Sequence, residues 1–180
     1  MRRFLVGLMT FVGLVVGVAN VRADDALSRT FRGRVMFSDI APAPAGTFPS
    51  GAARTAALQR IGRSSIEQTG GFWRIHMVVF LDRPAGTDTL LLRAFDVGVP
   101  EARAVRSFEP RQVRVFEVPV ERGANEVSLD DFVVTEVMGF ERGRSYEFSF
   151  EAPPAEGSPL AEAKKTGKAD VYAKGVITLR

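Results

Sequence analysis

Few side chains in this sequence could carry acid–base or nucleophilic chemistry, and their spacing selects no reaction. His76 is the only histidine, and there is no cysteine. A hydrolytic triad needs a nucleophile, a base and an orienting group in contact. Serines are available, but none stands in a G-x-S-x-G elbow, and nothing selects a partner for His76. A carboxylate pair of the glycosidase kind is equally unselected among 21 acidic residues. The expectation is a non-catalytic protein with no catalytic residue. The alternative is an envelope hydrolase that uses His76 or a carboxylate pair.

Metal and phosphate chemistry fare no better. His76 beside Met77, with Met36 and Met138 elsewhere, has the ligand types that suit copper(I). On a regular strand, however, neighbours point to opposite faces, so His76 and Met77 cannot share an ion. Asp130-Asp131 with Glu136, or Asp24-Asp25, could donate oxygens to calcium, but no D-x-D-x-D-G loop frames them. Gly70-Gly71 precedes a strand pattern rather than a helix and so lacks the setting of a phosphate loop. No cofactor and no metal site are expected.

The elements that would hold these residues read mostly as strands. Seven stretches carry strand signals: Thr30 to Ser38, Gly71 to Leu81, Thr89 to Val97, Arg111 to Val120, Glu126 to Val137, Ser145 to Glu151 and Val171 to Leu179. Trp73, Ile75, Met77, Val79 and Leu81 share a face in the second, as do Tyr146, Phe148 and Phe150 in the sixth. A phase slip between Val115 and Phe116, together with Pro119, predicts a bulge or an edge position for the fourth. Asp130-Asp131 predicts a break in the fifth. Two long segments interrupt the series. Residues 39–70 open on Ala41-Pro42-Ala43-Pro44 and then offer one helix, Gly51 to Ile61, with Ser50 as N-cap and Gly62 as stop. Its apolar stripe is expected to be Ala53, Ala56, Ala57 and Ile61. Residues 152–169, with Pro153-Pro154, Gly157 and Pro159, read as a long exposed loop.

Strands with regular turns and almost no helix predict an all-β domain, a seven-stranded antiparallel β-sandwich with one short helix in the insertion. The stretch Phe140-Glu141-Arg142-Gly143-Arg144-Ser145-Tyr146-Glu147-Phe148-Ser149-Phe150 resembles the E–F corner of immunoglobulin-like and fibronectin type III-like domains. The resemblance implies that the Tyr146 hydroxyl bonds back to upstream backbone and that Trp73 is a core aromatic. It covers about a dozen residues and the strand count, and it implies a fold rather than a function. The chain is longer than such domains usually are, and its insertion before the second strand is large.

Residues 1–23 read as a secretory signal peptide. Arg2-Arg3 leads an apolar run from Phe4 to Ala19, and Val21 and Ala23 fit a cleavage site before Asp24-Asp25. That run is shorter than the roughly 20 residues that span a bilayer, so no membrane span is expected after cleavage. The signal holds three basic residues, Arg2, Arg3 and Arg22, and no acidic one. Without it, residues 24–180 carry 21 basic against 21 acidic residues, down from 24 against 21. A neutral chain lacks the basic surplus of a nucleic-acid binder. Arg32 and Arg34, and Arg103, Arg106, Arg111 and Arg114, are expected to pair across strands with Glu109, Glu117 or Glu147. The absence of cysteine and the abundance of arginine point to a bacterial protein, periplasmic or secreted. The functional expectation is a module for binding or assembly with a protein or glycan partner in the cell envelope. A carbohydrate- or lipid-binding module is the further alternative, which would need exposed aromatics at Phe72, Phe108 or Phe140.

Overall fold

Period-two alternation of apolar side chains builds the molecule. The computed structural model describes residues 29–98, 110–153 and 170–180. Eight strands run in chain order: β1 (Arg34–Ser38), β2 (Ser65–Ile66), β3 (Phe72–Phe80), β4 (Thr89–Asp96), β5 (Arg111–Pro119), β6 (Glu126–Thr135), β7 (Ser145–Glu151) and β8 (Val171–Leu179). They join in one sheet of order β5-β4-β7-β8-β1-β3-β6, with β2 beside β8. Every pairing is antiparallel except β8 with β1 and β8 with β2, which are parallel.

The all-β reading therefore stands, while the expectation of seven antiparallel strands needs correction. The sheet is mixed and has eight strands. The extra strand, β2, is two residues long, too short to show any period. Both parallel contacts lie on the edge of β8 away from β7, where β1 meets it at Lys174 and β2 meets it at Thr178 and Leu179.

The sheet curls around one core. Trp73, Ile75, Met77 and Val79 of β3 meet Leu90 and Leu92 of β4, Leu129 and Phe132 of β6, and Tyr146, Phe148 and Phe150 of β7. Fully burying one such large side chain contributes about 1.5–3 kcal/mol. Phe148 sits at the centre, with ring centroids at 5.8 Å from Phe37, 6.1 Å from Phe132 and 6.3 Å from Phe140. Phe116 of β5 packs edge-on against Phe132 of β6 at 5.0 Å, so the two ends of the strand path lean together. Trp73 Nε1 donates to the Arg180 carbonyl at 2.9 Å. The Tyr146 hydroxyl accepts the Glu141 N–H at 2.6 Å.

Between β8 and β1 the strands approach so closely that only glycine fits. A Cβ on Gly175 would lie 2.8 Å from the Val35 carbonyl oxygen and 2.8 Å from the Phe37 ring. This seam joins a β5-β4-β7-β8 half to a β1-β3-β6 half.

The helix α1 (Gly51–Ile61) has the expected bounds, and Ser50 caps it by accepting the Ala53 N–H at 3.2 Å. Its buried face differs from the expected alanine stripe. Gly51, Arg54 and Leu58 are buried instead, and Ile61 packs beside them. An arginine can lie on an apolar face when its stem packs and its head finds a counterion. Arg54 meets both conditions, with Phe80 under its guanidinium and Glu126 as its partner. The slip expected at Val115 and Phe116 falls earlier, at Val113, which is the extra residue between Gln112 and Arg114 opposite Phe95 and Ala94. The break expected at Asp130-Asp131 is a bulge, with both residues opposite His76.

Candidate functional site

The candidate chemistry divides between the two outer faces of the sheet. On the β1-β3-β6 half the outward side chains are covered around Val78 and Phe80, while Arg34, Arg74 and Val133 stay exposed. Phe31 and Leu58 pack on Val78 and Phe80, with Met36 and Ile61 beside them. Arg54 Nη1 donates to Glu126 Oε2 at 2.8 Å, and Nη2 engages Oε1, which makes a bidentate pair in a largely dry setting. The crease between α1 and the sheet, lined by Met36, Ser38, Pro42, Leu58, Ile61 and Val78, is too narrow to admit a water molecule.

His76 stands at the rim of this covered patch and is buried. It lies directly across from Ser38 of β1 and opposite the Asp130-Asp131 bulge of β6. The Asp131 N–H donates to His76 Nδ1 at 3.3 Å. A neutral ring that accepts at Nδ1 carries its hydrogen on Nε2. That nitrogen is 4.0 Å from Asp131 Oδ1, which also meets Arg74 Nη1 at 3.4 Å. The fold thus places a serine, a histidine and an aspartate on neighbouring strands. Their bonds are not those of a triad. The Ser38 hydroxyl donates to the Ile40 carbonyl at 2.7 Å and accepts the Ile40 N–H at 3.1 Å, and the ring faces the aspartate from the wrong nitrogen. Asp131 adopts φ +57°, the single positive φ of a non-glycine residue among the described residues.

The outer face of β5-β4-β7-β8 carries no described helix. Its rows read Val115, Arg93, Ser149, Lys174 and, two residues along, Gln112, Phe95, Glu147, Val176. Val115 is 40% exposed and Val176 is 36% exposed. Charge on this face is tied up locally. Arg93 Nε lies 2.8 Å from Glu151 Oε2, Ser149 Oγ donates to Glu151 Oε1 at 2.9 Å, and Lys174 meets Glu147 at 3.4 Å. The arginines expected to pair across strands take different partners. Arg111 reaches Asp96 at 3.8 Å, Arg114 donates to the Met138 carbonyl at 2.9 Å, and Arg32 donates to the Asp82 carbonyl at 2.6 Å.

Near the end of the same half, buried Asp96 accepts from Arg144 Nε at 2.9 Å and from the Gly98 N–H at 2.8 Å. The bond to Asp96 raises the Arg144 pKa further above its ordinary value. Burial likewise pushes the Tyr146 hydroxyl up. Sequence reasoning misses both Asp96–Arg144 and Arg54–Glu126. Their partners lie 48 and 72 residues apart, and no local period links them.

The remaining candidates scatter. Met77 points into the core, opposite His76. No group of three His, Asp or Glu side chains among the described residues is close enough to hold a metal ion. Phe140 is fully buried, while Phe72 is half-buried with the Arg74 guanidinium 5.8 Å from its ring centre. The signal at 1–23, Asp24-Asp25, Arg103, Arg106, Phe108, Glu109 and nearly all of the 152–169 loop lie outside the described residues. No described helix is long and apolar enough to cross a membrane. No family model and no curated protein matches the chain.

Proposed function

We propose that this is an exported, non-catalytic β-sandwich of immunoglobulin-like type that serves as a binding or assembly module in the bacterial cell envelope. The observation that carries the reading is the contrast between the two outer faces. One is covered by α1 around Val78 and Phe80 and leaves the single apolar Val133 exposed beside Arg74, and the other offers Val115, Phe95 and Val176 among charges already neutralised by neighbours. A sheet face with locally satisfied ions and half-exposed apolar side chains loses little on desolvation against a partner.

The sandwich reading draws on strand order. β1-β3-β6 and β5-β4-β7-β8 are similar to the A-B-E and C′-C-F-G sets of an immunoglobulin-like domain. The bond from Glu141 to the Tyr146 hydroxyl is similar to the tyrosine corner of such domains. Against the hydrolase alternative stand the local bonds of Ser38 and the backbone bond held by His76. Against a glycan- or lipid-binding aromatic platform stands the burial of Phe140.

Two measurements test the proposal. Fractionation followed by N-terminal sequencing should recover an envelope form that begins near Asp24. A photo-crosslinking residue at Val176 or Val115 should trap a partner in cells, whereas the same probe at exposed Gln59 on α1 should not. Equal capture at Gln59, or a hydrolytic activity that His76→Ala abolishes, would overturn it.

A further inference from the structure

We propose that His76 and Asp131 form a two-position acid latch that sets the shape of β6, one edge of the sheet. The neutral position is the one observed. The ring accepts the Asp131 N–H at Nδ1, and that bond holds Asp131 at φ +57°. A non-glycine residue in this region costs about 1–3 kcal/mol and persists only where its surroundings hold it. Here the holding group is an imidazole, whose acceptor nitrogen can be occupied by a proton.

When a proton binds Nδ1, that nitrogen becomes a donor and faces another donor, the Asp131 N–H. The latch bond is then lost. The same residue supplies the replacement, because its carboxylate already lies 4.0 Å from Nε2. Asp131 thus bonds the ring through its backbone in one state and through its side chain in the other. The groups around the ring set the competition. From β1 comes Ser38, whose hydroxyl is committed to Ile40, followed by Asp39 paired with Arg63 at 3.2 Å. From β6 come Asp130 and Asp131. From β3 itself comes Arg74, which now shares Asp131 Oδ1 at 3.4 Å and must yield when the imidazolium claims it.

The bulge matters to the edge. A bulge breaks the regular row of donors and acceptors that an edge strand would otherwise present. Releasing Asp131 from its left-handed conformation therefore changes how β6 is displayed, without any change in the core beneath it.

Amide hydrogen exchange and histidine-ring signals, both followed by NMR on the purified protein from neutral to mildly acidic pH, test the latch. As the His76 ring takes its proton, Asp131 amide exchange, corrected for intrinsic pH dependence, should accelerate by about tenfold. The amides of Val79 and Val134 should hold. In His76→Gln the side-chain oxygen can accept the same N–H at every pH, so the acid response should vanish. Unchanged Asp131 protection while the ring titrates would overturn the latch, as would global unfolding before the ring titrates. An acid response in His76→Gln equal to that of the native chain would do so too.

Discussion

Two ion pairs on the outer faces of this sheet, Arg54–Glu126 and Lys174–Glu147, hold charge in opposite ways. On the β1-β3-β6 side the polar groups buried under and beside α1 each have a specific partner: Arg54 has Glu126, and His76 has the Asp131 N–H. On the β5-β4-β7-β8 side Arg93 meets the buried Glu151, whereas Lys174 and Glu147 stay partly in solvent, where their pairing is screened and cheap to lose. The same residue types thus carry very different energies, depending on what lies over them.

Breaking the covered pair from one side should have the largest effect. Glu126→Ala leaves the Arg54 guanidinium buried without its counterion, and urea unfolding should show a loss of about 3–5 kcal/mol. Arg54→Met combined with Glu126→Gln should recover most of that loss, because Arg54 Nε already has no hydrogen-bond partner among the described residues. The seam between the halves comes next. Gly175→Ala forces a Cβ against the Val35 carbonyl and should cost about 1–3 kcal/mol in the same assay.

Tyr146→Phe removes the bond from the Glu141 N–H and should cost about 1–2 kcal/mol. It should also change the alkaline limb of the pH profile. Burial raises the Tyr146 pKa in the folded state, so its contribution is complete below about pH 10, the unfolded value, and is lost as pH rises further. Melting temperatures should therefore fall above that pH more steeply in the native chain than in Tyr146→Phe. The smallest effect belongs to the open face, where Lys174→Ala should change stability by less than about 0.5 kcal/mol. A cost at Lys174 matching that at Glu126 would end the contrast between the two pairs.

Local pattern alone makes much of this fold legible in the sequence. β7 and β8 fall on the expected residues, and α1 is bounded by its expected cap and stop. What escapes local pattern is anything that needs a partner distant in sequence. The buried helix face departs from the alanine stripe because Arg54 becomes a core-facing residue only once Glu126 is near. β2 shows no period because two residues cannot. The neighbourhood of His76 is equally hidden. Ser38 and Asp131 lie 38 and 55 residues away along the chain, and only the β1-β3-β6 pairing brings them beside it.

Trp73 gives the molecule an optical signal of its own. It is the only tryptophan in the sequence, its side chain is wholly out of solvent, and its indole N–H is tied to Arg180. Its emission in the folded protein should lie toward the blue and shift to the red when water reaches the ring. Because the indole touches both the centre of the sheet and the backbone at Arg180, that shift reports release of the β8 side as well as loss of the core. A single fluorescence trace can therefore follow each substitution above without an added label.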